Sequence, residues 1–454
     1  MDDVTTTQMC ATETRDEAKE LFQESQKNYD DAFAKNKPTN LSVKQSFLTM
    51  FKMVDPNGKY IPVKKKLFYH IIGQALVEHP IANCMLEIDM RESFGVCIES
   101  GLGKESIKNV VIETCKETGQ KYVSLVSFHE EQLIGKKWQG KDKEMKEVKG
   151  YFAKDFIIRD DGLPFINSPK FELARNYMLT NLDVYGKNHI TKRLVEMDSS
   201  LDYLGHASFL YFVQPSEKIN EQNLASGLFR RAPILRIDLT QEEIEEIIDK
   251  RGVVKYNPEP DAWFKFLRYM RNCGIIHYKE IDLELMKQIN AVVKQNLVRN
   301  GLLGGLAIAN QNTIIKWAYI NSLLSIYKKN IIKPNIPKPN TVLTIELTEE
   351  SLKQAIQDFG QVYESIKTFA EKNSKQPINH PIDKILIQYL KTKKCVSEVT
   401  STVSPKELCE RTAKVLRSEL ATVKGRYYDL KEKGIIDSKQ VGQHGGKVWI
   451  KHRN

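Results

Sequence analysis

The stretch "FGVCIESGLGKESIKN", residues 94–109, decides how the rest of the chain is read. Its first five residues are apolar and read as a buried strand. Ser100-Gly101-Leu102-Gly103-Lys104 follows as a glycine turn. A helix comes next: Ile107, Val110, Val111 and Cys115 recur at helical spacing, and Gly119 stops it. Strand, glycine loop and helix in that order form the frame of a phosphate-binding loop. Glycines let successive amides turn inward around phosphate oxygens, a lysine neutralises the β/γ phosphates, and a Ser or Thr hydroxyl ligates Mg²⁺. The helix N-terminus adds its dipole. The candidate nucleotide-binding residues are therefore Ser100, Gly101, Leu102, Gly103, Lys104, Glu105 and Ser106. Two positions depart from G-x-x-x-x-G-K-[ST]. The first glycine slot holds Ile98, and the Ser/Thr slot holds Glu105, with Ser106 one place later. The ordinary alternative is a helix-initiating turn with a surface lysine.

Outward from the loop, short apolar segments recur: "YVSLVSF" (122–128), "FII" (156–158), "ASFLYFV" (207–213) and "PILRIDL" (233–239). Polar or helical segments separate them, which indicates a mostly parallel, three-layer α/β sheet spanning residues 41–240. "KKKLFYHIIGQALVEH" reads as a helix ahead of the loop. The lysine-rich stretch 136–149 reads as a solvated loop. After residue 240 strands are no longer expected. A helical subdomain covers 241–330, opened by a capping box of Thr240 with Glu243. "KPNIPKPN" (333–340) is a proline-rich linker, and with a long helix at about 348–373 it makes up a segment 331–375. Residues 1–40 are a polar lead-in.

Three further elements carry chemistry. "DFIIRDDG" is an apolar strand ending in Asp160 and Asp161. One acid would hold a metal ion, together with Glu105, and the next would polarise the attacking water. Gln214 ends "FLYFVQ", where a sensor of the γ-phosphate would sit. Arg230 and Arg231 precede the last strand and could reach a phosphate in the same or a neighbouring subunit. Each has a plain alternative: an acidic turn, a capped strand end, exposed charges. Lys187, Lys192 and Arg193, within 181–196, belong to a basic loop that faces DNA, a neighbouring subunit or only solvent.

Taken in order, "ESGLGKES", "HEEQLIGK", "FIIRDDG", "ASFLYFVQP" and "SGLFRRAPIL" resemble the P-loop ATPase core of helicase and primase–helicase proteins of viruses, plasmids and other mobile elements, within the RecA/AAA+ group. The resemblance covers roughly residues 60–330. It implies ATP and Mg²⁺ as cofactors, hydrolysis coupled to DNA movement, and a homo-oligomer such as a hexamer. Carried over by motif, Lys104 binds phosphate, Asp160 and Asp161 serve metal and water, Gln214 senses, and Arg230 or Arg231 acts as a finger.

The last segment, 376–454, is read independently. "HPIDKILIQYLKTKK" is a first helix with Ile382, Ile385, Leu386 and Tyr389 inward. Ser404, Pro405 and Glu407 mark the start of a second. A third is expected at about 415–433, with Leu416, Leu420, Val423, Tyr427 and Leu430 on one face and Gly434 ending it. Two strands around Gly445-Gly446 complete a winged helix-turn-helix. Arg417, Lys424, Arg426 and Lys431 on the third helix, with Lys439 and Lys447 on the wing, would meet DNA phosphates. Charge agrees: residues 381–454 hold 16 Lys/Arg against 8 Asp/Glu, most of the chain's net +10.

Composition narrows the field. Seven scattered cysteines without C-x-x-C argue for reduced thiols rather than a disulfide framework or zinc site. No apolar run approaches the ~18 residues of a membrane span. The expectation is a cytoplasmic, DNA-associated ATPase. The rivals are a non-hydrolysing winged-helix regulator with a degenerate nucleotide site, and an assembly or loader protein whose winged helix grips protein.

Overall fold

The computed structural model describes residues 41–450, except 84–85, 126–129, 140–143, 169–170, 182–186, 188, 195–198, 217–218, 220–226, 273, 299–301, 333–341, 375–380, 394–402, 417–418, 433–435 and 442–444. The polar lead-in and the proline-rich linker thus lie outside the described residues. The chain divides into two compact units, Met1–Glu371 and Lys372–Asn454.

The first unit is built on a five-stranded sheet of β1 (Phe94–Cys97), β2 (Tyr122–Leu125), β3 (Phe156–Arg159), β4 (Ser208–Val213) and β5 (Ile234–Arg236). The spatial order is β5-β1-β4-β3-β2, and every neighbouring pair is parallel. Every residue of β1, β3 and β4 is buried, as strands of a parallel sheet covered on both faces must be. Helix α1 (Ile61–Ala75) precedes β1, and α2 (Lys104–Thr118) follows it, ending on the left-handed Gly119. The expected capping box opens α3 (Gln241–Lys250), where Thr240 and Glu243 bond each other's backbone amides.

Three expectations are corrected in this unit. Strands do not stop after residue 240. Between α4 (Asp261–Asn272) and α5 (Leu283–Gln295) lies β6 (Ile275–Tyr278), which pairs in parallel with β7 (Val342–Ile345) beyond α6 (Ala307–Ile332). Burial in β6 alternates over only four residues, so nothing local separates it from the helices around it. The lysine-rich stretch is not a loop but a hairpin, Gly135–Gln139 with Met145–Lys149. Its run of charges hides the strand pattern. Within 181–196 a second hairpin begins, His189–Leu194 with Ser199–Leu204. The Tyr203 hydroxyl, on that hairpin, donates to the Ile134 carbonyl at the base of the first (2.7 Å). The expected long helix is present as α7 (Glu349–Ser374). Its Phe359, Val362, Ile366 and Phe369 are buried in the core of the first unit. The Ser365 hydroxyl accepts the Arg236 amide (3.0 Å) and donates to the Arg236 carbonyl (2.8 Å), so α7 covers the edge of β5.

The second unit contains α8 (Pro381–Thr392), α9 (Pro405–Leu416), α10 (Leu420–Glu432) and an antiparallel hairpin of β8 (Ile436–Val441) and β9 (Gly445–Ile450). Its core is Ile382, Leu386, Leu390, Leu408, Val423, Tyr427, Leu430 and Ile436. Ser404 caps α9 by accepting the Glu407 amide (3.0 Å). The Glu407 carboxylate takes the Tyr389 hydroxyl (2.8 Å). Two boundaries differ from expectation. Leu416 ends α9, and the third helix starts only at Leu420; four-residue spacing carries across the junction and conceals it. Gly445 and Gly446 begin the second strand, and residues 442–444 lie outside the described residues, as does Gly434. No helix among the described residues is long and apolar enough to cross a membrane. Cys97, Cys115 and Cys409 are buried.

Candidate functional site

The strand order contains a switch point. β1 and β4 are neighbours, yet the chain leaves β1 towards β2 at one edge and leaves β4 towards β5 at the other. At such a switch point the loops after the two strands diverge and leave space for a ligand at the carboxyl ends. Residues 98–104, Gln214 and, one strand further, Asp160 all follow those ends: Val213 lies opposite Cys97, and Arg159 opposite Tyr211.

The loop itself is built in two parts. Ile98 is buried and donates its amide to the Val213 carbonyl (3.0 Å), so it prolongs β1. That is why a glycine is not needed there. The turn comes later, with Gly101 at φ 83° and Gly103, the N-cap of α2, at φ 109°. Both values are strained for residues with a Cβ. The Tyr60 hydroxyl donates to the Leu102 carbonyl, and Met53 packs so close to Gly103 that a Cβ would meet its Cε at 2.5 Å. The segment before α1 therefore covers the loop.

Lys104 and Asp160 meet. The Lys104 ammonium donates to the Asp160 carbonyl (3.1 Å) and lies 5.9 Å from the centroid of the Phe212 ring. The Asp160 carboxylate is engaged elsewhere. Lys108, one turn further along α2, sits 3.3 Å from both of its oxygens and 2.8 Å from the nearer oxygen of Glu105. Partial burial works against the charge on Lys108, but Glu105 and Asp160 outweigh it and raise its pKa, so it is an ammonium at neutral pH. The two carboxylates expected to share a metal ion thus share Lys108. No three His, Cys, Asp or Glu side chains among the described residues form a metal-holding group. In this arrangement the acids do not fit a divalent ion. Ser106 Oγ is enclosed and has no hydrogen-bond partner. Asp161 and Gln214 are exposed beside the loop, and the Asp161 carbonyl accepts from Arg159 Nε.

Arg230 and Arg231 lie elsewhere. They precede β5 and line a cavity of ≈360 Å³ together with Glu92, Ser93, which precedes β1, and Lys316. That cavity is at the amino-terminal edge of the sheet, opposite the glycine loop. Arg230 and Arg231 thus line a cavity apart from the glycine loop of their own chain. Lys187 pairs with Glu87 (2.6 Å), and the side chains of Lys192 and Arg193 lie outside the described residues.

In the second unit Lys424 and Lys431 are exposed on α10, and Arg426 is half-buried. Lys439 and Lys447 occupy directly opposed positions of the hairpin; their side chains, and Arg417 altogether, lie outside the described residues. Sequence reasoning missed Lys108 and Tyr60. Lys108 was detectable in principle, because residues four apart share a helix face; Tyr60 was not, since 42 residues separate it from the loop it holds. No protein-family model matches the chain, and no curated protein matches it in sequence.

Proposed function

We propose that this chain is a DNA-associated P-loop ATPase, helicase-like or a replication initiator, that binds ATP at the carboxyl edge of its parallel sheet. The observation that carries this reading is the meeting of Lys104 and Asp160 within one hydrogen bond, beside a loop with two left-handed glycines, at the switch point between β1 and β4. In it the amides of residues 100–104 and the start of α2 hold the phosphates, and Lys104 turns from the Asp160 carbonyl to the triphosphate. Asp161 polarises the attacking water and Gln214 senses the γ-phosphate. Arg230 and Arg231, on the far edge, act on the nucleotide of the next subunit in a homo-oligomer. In this reading the second unit, with its three helices and hairpin, serves as a winged helix whose Lys424 and Lys431 contact DNA phosphates.

The test is DNA-stimulated phosphate release. Lys104→Ala and Asp161→Asn are each expected to lower the rate by about a hundredfold or more. Equal background rates in wild type and both variants would refute hydrolysis. A second reading has its own support: with Glu105 in the Ser/Thr slot and Lys108 on Asp160, the chain could bind nucleotide as a non-hydrolysing DNA-binding regulator. Nucleotide binding that Lys104→Ala abolishes, without turnover in wild type, would select it.

A further inference from the structure

Lys108 stands where the chemistry of a nucleotide site calls for a divalent cation. A metal on a P-loop works by pulling carboxylate and phosphate oxygens onto one positive centre. Here an ammonium does the first half of that. Its nitrogen is 3.3 Å from each Asp160 oxygen and 2.8 Å from the nearer Glu105 oxygen. The Lys108 side chain is only 12% exposed, and Asp160 20%, so the pair is shielded in a way surface ion pairs are not. Lys104, the other ammonium of the same helix face, is held on the backbone carbonyl of the same aspartate. Two cationic side chains one turn apart thus converge on Asp160. A divalent ion added to this arrangement would face Lys108 directly across a shared carboxylate.

We infer that Lys108 is a built-in counter-cation: it occupies the metal position of Asp160, lets a nucleoside triphosphate load without a divalent ion, and must be displaced before one can bind. The inference rests on the nucleotide-site reading above, and it adds a residue that controls that site. It assigns Glu105 a use as well. A hydroxyl in the slot after Lys104 would ligate metal, whereas a carboxylate there anchors Lys108 from the other side.

The experiment uses the full chain and a fluorescent ATP analogue, titrated in excess chelator and in Mn²⁺, with Mn²⁺ binding followed directly by its electron paramagnetic resonance signal. Wild type is expected to bind the analogue in chelator within about twofold of its affinity in Mn²⁺, since the ammonium already neutralises Asp160. Lys108→Met frees that carboxylate and is expected to bind Mn²⁺ about tenfold more tightly than wild type, whereas Lys108→Arg keeps the wild-type dependence. Binding that collapses tenfold or more in chelator in wild type would overturn the inference and needs no variant that folds. Equal Mn²⁺ affinity in wild type and a folded Lys108→Met would overturn it too, while leaving the nucleotide site intact. No analogue binding by wild type under either condition would overturn both the inference and the reading beneath it.

Discussion

A single backbone angle sets much of the candidate site. Gly103 sits at φ 109°, at the point where the loop becomes α2, and Gly101 sits at φ 83° in open space. An alanine at Gly103 is strained by about 1–2 kcal/mol in the backbone, and its Cβ also forces the Met53 methyl aside. Gly103→Ala is therefore expected to lower both thermal stability and nucleotide affinity. Gly101→Ala meets no neighbour within 4 Å. It is expected to cost about 1 kcal/mol by backbone strain alone, readable by denaturant titration. The Tyr60 hydroxyl makes a different contribution. It restrains the Leu102 carbonyl from outside the loop, so Tyr60→Phe removes one hydrogen bond, about 1 kcal/mol, and leaves the packed ring in place. Nucleotide affinity is expected to fall while the unfolding midpoint shifts little; an unchanged affinity would show that the loop holds its shape alone.

Between elements, a buried charged cluster around Glu92 ties segments of the first unit together. Glu92, in the segment entering β1, is 5% exposed and meets Lys66 of α1 (2.9 Å), Lys316 of α6 (3.6 Å) and the Trp317 indole (3.0 Å). Burial alone would raise the Glu92 pKa; the two ammonium groups outweigh it and hold the carboxyl below its usual range. Glu92→Gln leaves both lysines buried without their counter-charge and is expected to destabilise by about 3–5 kcal/mol. The exposed pair Lys287–Glu284 should contribute no more than about 0.5 kcal/mol, so Lys287→Ala serves as the control. His70 lies against the same cluster, its Nδ1 2.7 Å from the Glu92 carbonyl. Burial pushes its pKa down to about 4, despite that hydrogen bond. The unfolded chain, with an ordinary imidazole, binds a proton at higher pH than the folded one. Stability contributed by neutral His70 is thus fully present above about pH 6.5 and lost as pH falls towards 4. Glu92 adds a loss at still lower pH. Replacing His70 by Gln is expected to flatten the stability profile between pH 6.5 and 4; an unaltered slope would place the acid sensitivity elsewhere.

At the scale of the molecule, chemistry is divided between two units. The basic surplus belongs to the second, and its exposed Lys424 and Lys431 share α10. Reversing both to Glu is expected to weaken DNA binding across all sequences and to reduce the slope of log affinity against log salt by about 2, because each neutralised phosphate releases counterions. DNA binding that is insensitive to salt, or unaffected by the reversal, would favour a protein-gripping role for the second unit. Nucleotide binding should not change in that variant, since the candidate site lies wholly within the first unit.

Local patterns in the chain dictated whatever depends on neighbours in sequence. The helix after Gly103, the five sheet strands, the Thr240 cap and the apolar face of α10 all follow from periodicity, glycine and capping chemistry within a few residues, and the structure has each of them. Tertiary structure alone decided which distant groups meet. It put Lys104 on Asp160, interposed Lys108 between two acids, sent Arg230 and Arg231 to the opposite edge of the sheet, and paired β6 with a strand beyond α6. The physical reason is range. Backbone preference and hydrophobic spacing act over one or two turns, whereas the order of strands in a sheet follows from burying whole faces against one another, and that order selects which side chains share an edge.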